Sequence, residues 1–225
     1  MKLSNIICHN IFLFFLCYFL ISDIHGKEYK LNSEHNKRLQ QAKSLRKSGL
    51  IKESKHVYRN LLKDYPYLKE ALNPLKSILK NQEQWLSLDS IATNYQKANN
   101  FSFKSKSEVF EIFLWTDNKQ WVSILNETFN NLENDKNIEL IFNALLTNNK
   151  LNELLEALVF FRKNKSLDYF AFQLGNYYSM NMVFDKSVEE YLIYLESNPK
   201  QKILVKNRIM AFPEIHSIQV QIRDI

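Results

Sequence analysis

Apolar residues in this chain return every three or four positions, in blocks of about a dozen, and small polar breaks split the blocks at a near-constant interval. The breaks inside successive pairs of blocks fall near Gly49, Asn81, Asp117, Asn149 and Asn181, an interval of about 33 residues on average. Three- and four-residue spacing is the signature of an amphipathic helix. Two helices per unit and a period in the low thirties point to a stacked helical array, in which each pair buries its apolar face against the next.

The glycine count agrees. With Gly only at 26, 49 and 175, the chain lacks the turn residues of an all-β fold. The same scarcity leaves no glycine-rich phosphate loop and no nucleophile elbow.

Two units carry further detail. The first runs Ala42, Leu45, Gly49, Ser54, Tyr58, Leu61 and Pro66; the last runs Leu174, Gly175, Tyr178, Met182, Ser187, Tyr191, Tyr194 and Pro199. Both resemble the tetratricopeptide repeat. In that family a small residue (Ala42 or Gly175) lets the two helices of a pair approach, and a second (Ser54 or Ser187) sits at their crossing. An aromatic (Tyr58 or Tyr191) fills the next interface, and a proline closes the unit. Pro66 and Pro199 stand close to four repeat lengths apart, so three more pairs are expected at about 68–97, 104–132 and 136–163. In these middle units Lys76 and Phe110 replace the small residue. Pro74 reads either as the first residue of a late-starting helix after Asn73 or as a kink within one.

The resemblance implies an all-α, right-handed α-solenoid of antiparallel helix pairs with about five repeats, over residues 34–199. Residues 200–225 are expected to hold further helices, one at about 200–210 and, after Phe212-Pro213, one with Ile215, Ile218, Ile222 and Ile225 on a single face. That open-ended pattern suggests a region that continues or is covered by a neighbouring chain.

The N-terminus carries Lys2, an uncharged run over 11–21 and a polar break ending at Gly26. This is the pattern of a secretory signal peptide, residues 1–26, followed by a short linker over 27–33. Both cysteines, Cys8 and Cys17, lie in that segment, so its removal would leave neither disulfide nor thiol chemistry. Export to a bacterial periplasm or cell envelope is the expectation, without stable membrane insertion once the signal is cleaved.

Net charge is +6, carried by 24 Lys against 6 Arg with no long basic run, a balance unlike that of Arg-rich nucleic-acid readers. No nucleic-acid partner, cofactor or metal is expected, since no two of His35, His56 and His216 stand four residues apart. Glu133 with Asp135, and Glu189 with Glu190, read as solvated helix faces rather than acid–base pairs. The aromatics Phe160, Phe161, Tyr169, Phe170 and Phe172 read first as core between repeats, and secondarily as a ligand patch. Sequons at Asn100, Asn126 and Asn164 are no more than chance supplies in a chain with 25 Asn.

The expected function is therefore that of a non-catalytic scaffold or adaptor. The resemblance implies a protein or peptide partner lying along a groove lined by the first helix of each pair. Carried onto this chain, the lining is Asn36, Leu39, Lys43, Arg46 and Lys47, then Asn73, Ser77 and Lys80, then Glu139 and Asn143, then Tyr169, Phe172 and Asn176. Lys43, Arg46 and Lys47 make the first unit the basic end, suited to a carboxylate or an acidic segment. The alternative is a substrate-positioning arm of an envelope enzyme whose catalytic domain lies beyond residue 225.

Overall fold

The computed structural model describes residues 33–213, which hold eleven α-helices and no strand. In chain order they are α1 (Ser33–Lys47), α2 (Ile51–Asp64), α3 (Lys69–Asn81), α4 (Trp85–Ala98), α5 (Phe103–Trp115) and α6 (Gln120–Thr128). There follow α7 (Asp135–Thr147), α8 (Leu151–Asn164), α9 (Ala171–Met180), α10 (Phe184–Ser197) and, after a short 3-10 turn over Pro199–Gln201, α11 (Lys202–Met210). The three middle pairs fall where the apolar periodicity places them. The expected signal segment and the isoleucine-striped segment after Pro213 lie outside the described residues.

One turn closes every pair. A residue with positive φ stands between the two helices at Gly49, Glu83, Asp117, Asn149 and Met182, recurring about every 33 residues. In each case the next backbone N–H reaches back five residues: Leu50 to Leu45 O, Gln84 to Leu79 O, Asn118 to Phe113 O, Lys150 to Leu145 O and Val183 to Tyr178 O, at 2.9–3.0 Å. This six-to-one bond is the Schellman stop, which satisfies a carbonyl that the ending helix leaves orphaned. At the breaks near Asn81 and Asn181 the left-handed residue is not the asparagine but Glu83 and Met182. Turn-forming residue type pointed to asparagine, whereas the apolar register of the flanking helices decides which residue turns.

Asparagine has a different task at these ends. The side-chain amides of Asn99, Asn131, Asn148, Asn164, Asn181 and Asn198 each donate to the carbonyl four residues earlier, at 2.7–2.9 Å. The carbonyls of Tyr95, Tyr177 and Tyr194 also accept the backbone N–H of the same asparagine, at 3.1 Å, so there the amide is a second donor that reinforces the last turn.

Pro74 lies inside α3, in its second turn, rather than at its start. The helix begins at Lys69 behind Leu68, and Pro74 deprives the Glu70 carbonyl of its donor.

The chain divides into two compact units. Among the described residues, the first comprises 33–84 with 93–100 and the second comprises 85–92 with 101–213. In the first, α2 packs against both α1 and α3, burying Ala42, Tyr58, Leu61, Leu72, Leu75 and Leu79. In the second, α5 packs on α6 and α7, α7 on α8, and α10 on α9 and α11. Phe110, Phe113, Phe142, Phe161, Leu174 and Tyr191 are among the side chains buried there.

The first and last pairs are built alike, and the resemblance between them holds in three dimensions. The Ser54 hydroxyl donates to Ala42 O and the Ser187 hydroxyl to Gly175 O, both at 2.8 Å and both across twelve residues. Tyr58 and Tyr191 occupy the matching site and are fully buried. Burial raises both phenol pKa values, which Arg46 and Arg208 respectively moderate by their charge.

Candidate partner-binding surface

On α1, Asn36, Lys43 and Lys47 stand seven and four residues apart, so they share one face, and all three are exposed. Among the described residues, Lys43 and Lys47 form no hydrogen bond or ion pair. Leu39 does not belong to that stripe. It borders the stripe and is buried with Ala42, because core packing claims that edge of α1. Arg46 is exposed at the helix end, and its charge reaches the Tyr58 phenol. On α3, Asn73, Ser77 and Lys80 follow one another at four and three residues, with Asn73 and Lys80 exposed and Ser77 half-buried.

The remaining lining residues lie in the second unit. Asn143 and Glu139 are exposed on α7. Asn176 on α9 is half-buried, and its side-chain oxygen accepts from the Tyr191 hydroxyl at 2.7 Å, leaving its amide nitrogen as the donor it can offer. Phe172 is half-buried against Tyr191 and Tyr194, with ring centroids 5.7 and 5.0 Å apart.

Tyr169 is held more tightly than a groove residue needs to be. Its ring stacks on Phe161 at 5.4 Å, its hydroxyl donates to Asp135 at 3.1 Å, and Lys165 lies over its face at 5.1 Å. Lys165 in turn pairs with Asp135 and donates to Leu132 O at 2.7 Å. Burial, with the Asp135 charge and hydrogen bond behind it, pushes the Tyr169 phenol far above its usual range. The five aromatics that cluster in sequence thus separate. Phe160, Phe161, Tyr169 and Phe170 join Phe129 and Phe142 in edge-to-face contacts, while Phe172 belongs to the cluster around Tyr191.

Sequence reasoning missed a buried ion pair. Both guanidinium ends of Arg162 on α8 meet the Glu190 carboxylate on α10, at 3.2 and 2.5 Å, with side-chain exposures of only 19% and 12%. The two are far apart in the chain, so no local spacing could announce the contact. Of the acidic neighbours considered for acid–base work, Glu190 is committed to Arg162 and Asp135 to Lys165 and Tyr169. His35 packs on Tyr65, with centroids 3.7 Å apart, and His56 pairs with Asn60. Among the described residues no group of three or more His, Cys, Asp or Glu side chains could hold a metal ion, and no helix is long and apolar enough to cross a membrane.

Charge divides unevenly between the units. Residues 33–84 and 93–100 carry 13 Lys and Arg against 5 Asp and Glu, whereas 85–92 and 101–213 carry 13 against 15. The described residues of the first unit therefore carry +8 and those of the second −2.

No family model matches this chain, and a search of curated proteins returns no match.

Proposed function

We propose that the chain is a tetratricopeptide-type α-solenoid that serves as a non-catalytic scaffold in the bacterial cell envelope, holding a segment of a partner protein along its first helices. The observation that carries this reading is the recurrence of one helix-pair turn, at a near-constant interval, through all five pairs. Ser54 on Ala42 and Ser187 on Gly175 support it from the other direction, because a small residue under a crossing helix is what the family uses to bring its two helices together.

The polar stripe on α1 favours an acidic partner segment. Lys43 and Lys47 are point charges on flexible stems, and neither is engaged by a carboxylate of the described residues. A peptide lying across α1 and α3 would also meet the amides of Asn36 and Asn73. Long-range attraction from a unit at +8 would speed its arrival, and salt would slow it.

The test is affinity capture from envelope extract with the tagged chain, compared with Lys43→Glu/Lys47→Glu and read by mass spectrometry. A protein retained by the parent and lost with the double variant is the expected result. Equal retention by both would remove the α1 stripe from the reading, and retention on purified cell-wall material alone would replace the scaffold with an envelope-enzyme arm. Export is tested separately by N-terminal sequencing of the chain recovered from a bacterial host. A mature start at Lys27 is expected, and a start at Met1 would overturn it.

A further inference from the structure

The outer face of α2 carries a row of cations that the peptide-holding role does not use. Lys52, Lys55, Arg59 and Lys63 follow one another at three, four and four residues, and His56 falls in the same row. That spacing keeps them on one side of the helix, in a row roughly 16 Å long at 1.5 Å per residue. Ser54, Tyr58 and Leu61 occupy the opposite side and are buried. Lys52, Arg59 and Lys63 are exposed, and Lys55 is half-buried with its ammonium on the Gln82 side-chain oxygen at 2.6 Å. Arg59 reaches the Gln84 amide oxygen at 2.9 Å. The two carboxylates of α2, Glu53 and Asp64, fall outside the row, and Asp64 is taken by Arg38 at 2.8 Å.

We propose that this face of α2 docks the first unit on an anionic phospholipid surface, without inserting into it. Three features favour a lipid surface over an acidic polypeptide. The row is straight and lies on the outer side of a helix, so it matches a flat field of negative charge rather than one extended chain. Three of its four cations are Lys, and the exposed Lys52 and Lys63 act as mobile point charges, whereas paired carboxylates are better matched by the Arg fork. Finally, the described residues of this unit carry +8 while those of the other carry −2, so the row stands on the part of the chain with the greatest attraction for an anionic surface.

The experiment is co-sedimentation of the mature chain, starting at Lys27, with phosphatidylcholine vesicles, with and without one part in three of phosphatidylglycerol. A Lys near an anionic surface contributes about fivefold to binding at moderate ionic strength. Expected results are a clear preference for the anionic vesicles, erosion of that preference by added salt, and a loss of roughly 20-fold in Lys52→Gln/Lys63→Gln. Both substituted side chains are exposed, so the variant should keep its helical circular dichroism, which is checked in parallel. Lys136→Gln/Lys163→Gln removes the same charge from exposed sites in the second unit and should leave vesicle binding nearly unchanged. Equal binding to neutral and anionic vesicles would overturn the proposal, as would equal losses in the two variants. Binding to soluble polyglutamate but not to anionic vesicles would overturn it too, and would assign the row to an acidic polypeptide.

Discussion

Gly175→Ala should destabilise the chain even though alanine is the better helix former. In an exposed helix interior the exchange would stabilise by about 1 kcal/mol. Here the added Cβ would lie 2.8 Å from Cδ1 and 2.9 Å from Cε1 of Tyr191. That ring cannot simply swing aside, because Tyr191 is fully buried and its hydroxyl is held by Asn176 at 2.7 Å. Nor can the helices separate freely, since Ser187 ties α10 to the Gly175 carbonyl at 2.8 Å. Forcing a methyl group into a filled interface costs about 1–3 kcal/mol, so the net loss should be about 1 kcal/mol. The matched position in the first pair already holds alanine, and there the opposite exchange, Ala42→Gly, should destabilise by about 1 kcal/mol through backbone entropy and lost packing. Urea titration followed by far-ultraviolet circular dichroism reads both variants. Combining Gly175→Ala with Tyr191→Leu should recover stability relative to Tyr191→Leu alone, a coupling of about 2 kcal/mol in a double-mutant cycle. A higher urea midpoint for Gly175→Ala in the parent chain would refute the close-approach account of this pair.

Glu83→Gly and Met182→Gly should each raise stability by about 0.5–1 kcal/mol, because both side chains sit at positive φ where glycine is unstrained; unchanged or lowered urea midpoints would contradict this. Arg162→Ala should cost about 3 kcal/mol by leaving the Glu190 carboxylate buried without a partner, while Arg162→Met/Glu190→Leu should cost far less. The phenols of Tyr58, Tyr169, Tyr178 and Tyr191 are all raised, chiefly by burial, so the folded state holds their protons more tightly than the unfolded chain does. Their contribution is complete below about pH 10 and is lost as pH rises beyond it. Absorbance at 295 nm should therefore show late ionisation that coincides with loss of helix, and a titration of every tyrosine near its ordinary value in a still-folded chain would oppose it.

The helix pairs were readable because their signal is local: apolar residues at three and four positions mark a buried stripe whatever it packs on. The break residues were less so. At 181 the chain offers an asparagine, a common turn former, yet its amide caps Tyr177 O and the left-handed residue is Met182. Composition says that a turn is near, but only the six-to-one bond says where. Leu39 shows the same limit on the candidate surface. Family analogy puts it with Lys43, but the core claims it. Contacts between distant residues, such as Arg162 with Glu190 or Tyr169 with Asp135, had no sequence signal, because each partner is set by the packing of separate helices. The α2 cations, by contrast, were fully visible in their spacing.

The asparagine caps give this chain a particular way of ageing. Slow hydrolysis of a side-chain amide turns asparagine into aspartate, and at most surface positions the change adds a charge and little else. At Asn99, Asn131, Asn148, Asn164, Asn181 and Asn198 it would replace the donor with an acceptor facing a carbonyl oxygen. The new negative charge would also stand at the negative end of a helix dipole. Each event would strike at a helix end or pair junction, so chemical damage in this protein would loosen the joints between helices before it touched their cores.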